Sequence, residues 1–440
     1  MIRQFSLLII DDSEAKRLRT IEKLEHALPP FEMTFDIATC YEEARERLKE
    51  ASYDFLILDV KLPAGDGEPE ARWSRALLRD ILAGRLGAPV HVFGLTEYEE
   101  LEAEERAFYD ANMFGFVKFD WESDDWAAFI ANKIKFVATA TNAAEAFRFN
   151  HFERDLLVLT ARHDNEFLPI KKALFGEQAS AIHPLWREAS HFGYITTPVR
   201  SFSTGLVCVG EMGLAATAAI TAQAIRVLRP RLVVMLGMCA GFKGKGVKIL
   251  DSIISTEAAC WQDGKYEQGN DTSKFYKRAK NRNCSLQVRG IIEHFVERYD
   301  ESFAALSSKI SVEREFLEIK SAFGDAVRTA PAVKSGLLLS GSSIVADEDT
   351  RKAIEADFGT ALGLEMEVYG LYTAAFKSMG KQPEYFAIKT IADFADGEKK
   401  DRAQALASTI SARVLMRMLE LGQGPDKYAK IDATPRLLEE

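Results

Sequence analysis

Cysteine is scarce in this chain of 440 residues: there are five, Cys40, Cys208, Cys239, Cys260 and Cys284. None lies in a C-x-x-C spacing, which sets aside a zinc ribbon and a dithiol redox pair, and a sparse, odd-numbered set fits a reducing cytoplasm. No apolar run is long enough to span a bilayer. The start, Met1-Ile2-Arg3-Gln4, enters a strand-like segment without the apolar core and small-residue cleavage site of a signal peptide. The expected location is therefore cytoplasmic, with no membrane partner. Positive charge is also short, with 56 Lys and Arg against 66 Asp and Glu and a formal net charge of -10. A phosphate backbone would be repelled overall, so no nucleic-acid partner is expected, although a local basic pocket for one small polyphosphate stays open. Internal repeats and low-complexity tracts are missing. What is present is an ordinary globular composition, 47% hydrophobic and 28% charged. The length suffices for two or three domains, each with a sizeable core.

The first part alternates short apolar runs with helical stretches. Phe5 to Ile10 ends in Asp11-Asp12, Phe55 to Leu58 in Asp59, Val90 to Gly94 in Leu95-Thr96, and Phe116-Val117 in Lys118. The first helical stretch breaks at Pro29-Pro30. Such runs read as buried parallel strands of a βα sheet. Helical striping then runs from about Asp124 to Phe147 without Gly or Pro. A second α/β pattern starts at Asp155, with strands expected at Leu156–Leu159, Thr204–Val209, Arg231–Leu236, Gly336–Leu339 and Tyr385–Ile391. Helices are expected at Leu214–Leu228 and about Ala403–Leu421. Roughly 269–330 is polar, charged and helical in pattern, and reads as an insertion or helical cover.

In a doubly wound sheet the carboxyl ends of the strands converge on one crevice, so Asp11, Asp12, Asp59, Thr96 and Lys118 should meet there. A carboxylate that accepts a phosphoryl group needs a hard cation beside it, held by further carboxylates; a lysine and a hydroxyl can then bind the new phosphate. Over about residues 3 to 140 the chain resembles the response-regulator receiver family. The resemblance implies that Asp59 is the phosphoacceptor, that Asp11 and Asp12 join it in binding Mg²⁺, that Thr96 and Lys118 are switch residues, and that the partner is a cognate sensor histidine kinase. Two departures stand out. Phe119 follows Lys118 where the family has proline, and the switch aromatic falls on Gly115, flanked by Phe114 and Phe116. Acidic residues also end buried strands without such a role.

Four segments of the second part resemble the nucleoside-phosphorylase superfamily, in particular its methylthioadenosine/adenosylhomocysteine nucleosidases. In Leu159-Thr160-Ala161-Arg162-His163-Asp164-Asn165-Glu166-Phe167, the resemblance makes Glu166 the residue that positions or deprotonates the attacking water, with Asp164 as the competing assignment. An acid at a helix start is also what the macrodipole favours. The turn Gly237-Met238-Cys239-Ala240-Gly241 would let backbone approach the nucleophile side of a bound nucleoside. Cys239 reads as a small buried residue rather than a nucleophile. In Leu364-Glu365-Met366-Glu367-Val368, the resemblance assigns Glu367 to the ribose hydroxyls, with Met366 against the sugar. The bland alternative is an amphipathic helix with exposed acids. In Ala387-Ile388-Lys389-Thr390-Ile391-Ala392-Asp393-Phe394-Ala395-Asp396, Asp393 takes the place of the general acid that protonates the purine, and Asp396 reads as a loop or capping residue. Ser340 to Asp347 would hold the base; Ile344 stands where relatives carry an aromatic ring, beside Val345, and Phe394 is expected to exclude water.

The expected fold class is thus α/β: a flavodoxin-like doubly wound parallel sheet, then a phosphorylase-like domain with a mixed central sheet. Boundaries are expected at 1–123 (receiver), 124–152 (helical linker), 153–422 (nucleosidase-like domain) and 423–440 (tail). The paired carboxylates imply N-glycosidic cleavage through an oxocarbenium-like transition state, with no cofactor for that step. The acidic first loop favours water over phosphate as nucleophile. Receiver–phosphorylase fusions resemble the effector of Detocs phage-defence systems, which hydrolyses ATP to adenine and ribose-5'-triphosphate. A purine nucleotide is therefore the expected substrate. Arg162, His163, Lys171, Lys172, Arg200 and Lys243 are candidates for its phosphates, although each alone also reads as a solvated surface charge. The resemblance further implies a homo-oligomer. Two alternatives stay open: a regulated methylthioadenosine/adenosylhomocysteine nucleosidase or purine-nucleoside phosphorylase, and a non-catalytic nucleotide-sensing module.

Overall fold

The computed structural model describes residues 4–28, 33–98, 102–179, 186–268, 273–277, 279–298, 309–310, 313–395 and 403–421. Pro29-Pro30, Asp396 and the expected tail 423–440 lie outside the described residues. The chain forms two compact units, Met1–Phe147 and Arg148–Glu440.

The first unit carries strands β1 (Phe5–Ile10), β2 (Met33–Ala38), β3 (Phe55–Asp59), β4 (His91–Thr96) and β5 (Gly115–Lys118). Its helices are α1 (Glu14–Ala27), α2 (Tyr41–Glu50), α3 (Ala71–Leu82), α4 (Glu102–Ala111) and α5 (Asp125–Asn150). The strands form an all-parallel sheet in the order β2-β1-β3-β4-β5, the flavodoxin-like winding. Helices cover both faces, which is why β3 is buried along its whole length and reads as an unbroken apolar run. One face packs Phe5, Leu7, Ile9, Phe55 and Phe93 against α1 and α5; the other packs Leu8, Ile10, Leu56 and Leu58 against α2 and α3. Ser13 starts α1 by accepting the Lys16 N–H through its side chain, with Glu14 in the first turn. The buried face of α5 runs from Trp126 to Ala138.

In the second unit, β6 (Arg154–Thr160) leads through a π-helical turn (His163–Phe167) into α6 (Leu168–Phe175). There follow β7 (Ser190–Thr196), β8 (Ser201–Cys208), α7 (Leu214–Leu228), β9 (Pro230–Gly241), β10 (Ser252–Cys260), β11 (Gly264–Gln268), β12 (Ser273–Lys277) and β13 (Asn281–Asn283). After α8 (Leu286–Glu297) and α9 (Arg314–Phe323) come β14 (Val333–Ser340), α10 (Glu348–Asp357), β15 (Ala361–Glu365), α11 (Val368–Phe376), β16 (Glu384–Asp393) and α12 (Gln404–Glu420). The central sheet is mixed, in the order β13-β10-β14-β15-β9-β6-β8-β7. Because β16 pairs with both β10 and β9, the strands β10, β14, β15, β9 and β16 close into a ring. Closure removes sheet edges and fills the centre with side chains. The segment 269–330 includes short strands as well as helices, and α8 and α9 bury Val288, Ile292, Phe295, Phe316 and Ile319 in the same core.

Strand β9 turns a corner. Its first half pairs with β6, and its end pairs with β15. Between the two lies Gly237, with φ of +149°, a conformation that side chains rarely adopt. The carboxyl ends of β6, β9, β15 and β16 thereby face one cleft.

Candidate active site

The cleft, a cavity of about 140 Å³, is lined by Glu166, Met238, Cys239, Glu367, Met366 and Asp393, among others. Residues far apart in the chain, singled out at strand ends, thus share one cavity.

Glu166 closes the turn after β6. It is 2% exposed, and its carboxylate accepts the backbone N–H groups of Ala161 at 2.7 Å, Arg162 at 3.0 Å and Met238 at 3.1 Å. Those bonds fix its position against β9. A Cβ on Gly237 would lie 2.1 Å from Glu166 Oε1, so glycine is required where β9 passes the carboxylate. Asp164, the competing assignment, is exposed and bonds to His163 instead.

Glu367 precedes α11 and is 5% exposed. It accepts the Gly213 N–H at 3.4 Å and an ammonium hydrogen of Lys389 at 3.3 Å. Burial pushes its carboxyl up from the ordinary value; Lys389 pulls it back down and Glu365 adds to the rise. The amphipathic-helix reading of this segment fails, since both Glu365 and Glu367 are buried. Glu365 caps α11: its Oε2 accepts the N–H groups of Glu367 at 2.8 Å and Val368 at 2.9 Å, and its Oε1 accepts the hydroxyl of Ser340.

Lys389, quoted above only as part of a strand, ties these groups together. It is 0% exposed, with Nζ 3.9 Å from Glu166, 3.8 Å from Glu365 and 3.3 Å from Glu367. Burial disfavours its charged form, but the three carboxylates outweigh burial and hold its pKa above the ordinary lysine value. The signal was legible: a lysine inside an apolar strand has to be paired.

Asp393 ends β16, half-buried, with Oδ1 accepting the Ala395 N–H at 2.9 Å. A register shift between Ile391 and Asp393 resets the alternation of the strand. Asp393 therefore lines the cavity, and Phe394 packs into the core instead, with Lys243 Nζ 5.1 Å from its ring centroid. Of the expected base-pocket residues, Ile344 and Val345 line the cleft and Phe394 does not. Burial pushes the Cys239 thiol far up, which suits a packing residue rather than a nucleophile.

Among the candidate phosphate-binding cations, Arg162 lines the cavity, whereas His163, Lys171, Lys172, Arg200 and Lys243 do not. His163 stacks on Phe167 at 5.5 Å. Arg200 is drawn to the opposite end of β6, where it pairs with Asp155 at 2.9 Å. Met212 and Gln404 line the cleft unforeseen; they come from a loop and a helix start without periodic signal, while Ser343 falls in the segment expected to hold the base.

In the first unit, ligand oxygens of Asp11, Asp12 and Asp59 lie within 4.8 Å of one another at the carboxyl ends of β1 and β3. Hard carboxylate oxygens so placed fit a hard divalent cation. Thr96 is buried at the end of β4, its hydroxyl accepting the Tyr98 N–H at 3.1 Å, and Lys118 is exposed beside it in register. No helix among the described residues is long and apolar enough to cross a membrane.

The sequence pattern of the phosphorylase superfamily matches residues 166–420. An uncharacterized protein of Sinorhizobium fredii, y4jS, is 25% identical over 92% of this chain and 96% of its own length. ATP nucleosidase Cap17 of Escherichia coli is 26% identical over 61% of this chain, which spans about half, 51%, of Cap17. The 5'-methylthioadenosine/S-adenosylhomocysteine nucleosidase of Haemophilus influenzae is 24% identical over 48% of this chain and 78% of its own length. With more than half of its length matched, the chain belongs to the phosphorylase superfamily.

Proposed function

We propose that the protein is a phosphorylation-controlled purine nucleotide N-glycosidase that hydrolyses ATP, and dATP, to adenine and ribose-5'-triphosphate, and that it acts as an antiviral defence effector. The observation that carries the reading is the convergence of Glu166, Glu367 and Asp393 on one cleft. Glu166, fixed by three backbone donors, holds a water on one side of the sugar and accepts its proton. Glu367 accepts the ribose hydroxyls, which strengthens as positive charge spreads over the ring. Asp393 hands a proton to the purine, making the base a better leaving group. Lys389 offsets part of the burial penalty on the Glu367 carboxylate and does not itself line the cleft. Arg162 at the cavity wall faces the 5' phosphates, and the similarity to an ATP nucleosidase supports the nucleotide over the nucleoside.

The first unit supplies the control. Asp59 is the phosphoacceptor, Thr96 and Lys118 respond to its modification, and a sensor histidine kinase is the donor. Mg²⁺ held by Asp11, Asp12 and Asp59 would neutralise the transferring oxygens. The functional form is a homo-oligomer.

A second reading has its own support. Met212, Met238 and Met366 line the cleft beside Arg162, its one cation among the described residues, a lining that also suits a thioether at the ribose 5' position. The test is free adenine measured by chromatography after incubation with ATP, dATP, ADP, AMP, adenosine or methylthioadenosine, with and without phosphorylation. Adenine from ATP that is lost in Asp393→Asn supports the proposal. Adenine from methylthioadenosine alone moves the protein to regulated salvage, and none from any substrate moves it to a nucleotide sensor.

A further inference from the structure

The acidic pocket of the first unit already holds a cation of the chain's own. Lys16, in the first turn of α1, is 1% exposed, and its Nζ lies 2.8 Å from Asp59 Oδ2, 3.0 Å from Asp11 Oδ2 and 4.0 Å from Glu97 Oε1. The Phe119 ring stands over it, centroid 5.6 Å from the ammonium. The remaining oxygens of both aspartates are engaged as well. Asp11 Oδ1 accepts the Ser13 N–H at 2.9 Å, and Asp59 Oδ1 accepts the Lys61 N–H at 3.1 Å.

A divalent ion bridging Asp11, Asp12 and Asp59 would use the lone pairs and the space that the ammonium now takes. Two buried cations cannot share that position, because each would face the other at short range in a low-dielectric pocket. We propose that Lys16 is a built-in competitor for the divalent cation, so that Mg²⁺ enters only when the lysine swings out. This rests on the reading of the unit as a phosphoacceptor.

The arrangement explains a departure noted in the sequence. Phe119 stands where receivers have proline, and its aromatic face covers the Lys16 ammonium. The cation paired with Asp59 in this pocket comes from α1. The start of α1 then has to rearrange when metal binds. A resting unit closed in this way is insulated from metal and from small phosphodonors.

The test is calorimetric titration of the full-length wild type and Lys16→Met with MgCl₂. The variant, shown to be folded by its thermal melt, should bind Mg²⁺ about tenfold more tightly or better, the order expected when one close ion pair no longer competes. Equal or weaker binding overturns the proposal, as does a lack of binding to both proteins. Should Lys16→Met not fold, the wild type answers alone. Acylation of Lys16 by an N-hydroxysuccinimide ester, read by peptide mass spectrometry, should rise several-fold at saturating Mg²⁺; unchanged labelling overturns displacement. Acetyl phosphate separates the two readings: tighter Mg²⁺ binding by the variant, with no phosphoryl transfer to either protein, supports the competition and removes phosphorylation control.

Discussion

Replacing Lys389 by methionine keeps the volume of the side chain and removes the single ammonium shared by Glu166, Glu365 and Glu367. Each of these pairs lies between 3.3 and 3.9 Å, and at such separations an effective dielectric near 20 gives about 4 kcal/mol per pair. The desolvation of four buried groups offsets much of that sum, so the pairs do not add. The comparison that applies is the loss of one partner from a buried ion cluster, about 3–5 kcal/mol. The protein can limit the loss by protonating a carboxylate, and burial already raises the Glu367 carboxyl above the ordinary glutamate value. We therefore expect Lys389→Met to be less stable by about 3–5 kcal/mol at pH 7.5. The deficit should shrink by about 1.4 kcal/mol per pH unit on acidification, for each proton the folded variant takes up. Urea unfolding of the full chain at pH 7.5 and 5.5, wild type against variant, measures both quantities. A loss below about 1 kcal/mol at pH 7.5, or one that does not change with pH, would refute the view that this buried carboxylate cluster depends on Lys389.

Gly237→Ala places a Cβ on Glu166 and strains a left-handed backbone, so glycosidic cleavage should fall by about 10²–10⁴, the worth of a positioned base, in steady-state kinetics; a loss under tenfold would mean that Glu166 is not that base. Cys239 should resist iodoacetamide at pH 8 in the folded protein and react after unfolding, as read by mass spectrometry of its peptide, because burial holds its thiol protonated. His191 is 0% exposed, with both ring nitrogens unbonded among the described residues, and burial lowers its pKa. The unfolded chain takes up the proton first on acidification. Stability is thus fully present above the ordinary histidine value and falls as pH drops from there toward the folded value, by at most about 1.4 kcal/mol per pH unit. Thermal melts at pH 7.5, 6.5 and 5.5 should show a smaller acid loss in His191→Phe than in the wild type.

Buried parallel strands announce themselves, because helices on both faces demand apolar side chains at every position; Phe5–Ile10 and Phe55–Asp59 were legible for that reason. Strand β2 was not, since it lies at the sheet edge and alternates apolar with exposed residues over six positions. Strand β10 was hidden by its own composition. Its polar residues interrupt the apolar run, yet both serines are satisfied inside the core, as in the 2.8 Å bond between Ser252 and Thr390. The ring closed by β16 has no local signature, because pairing between distant strands is set by the packing of the whole sheet.

The same division runs through the candidate sites. Position at strand ends brought Asp11 and Asp59 together, because strand ends converge in any such sheet, while Glu166, Glu367 and Asp393 were singled out by resemblance to the phosphorylase motifs. Only the folded chain decided which way side chains turn and which charges meet. The bulge before Asp393 sends Phe394 into the core, Asp155 draws Arg200 to the far end of β6, and Lys389 and Lys16 each become the counter-ion of a buried acidic pocket. Sequence carries residue type and period, whereas a buried charge finds its partner through space, and that distance exists only after folding.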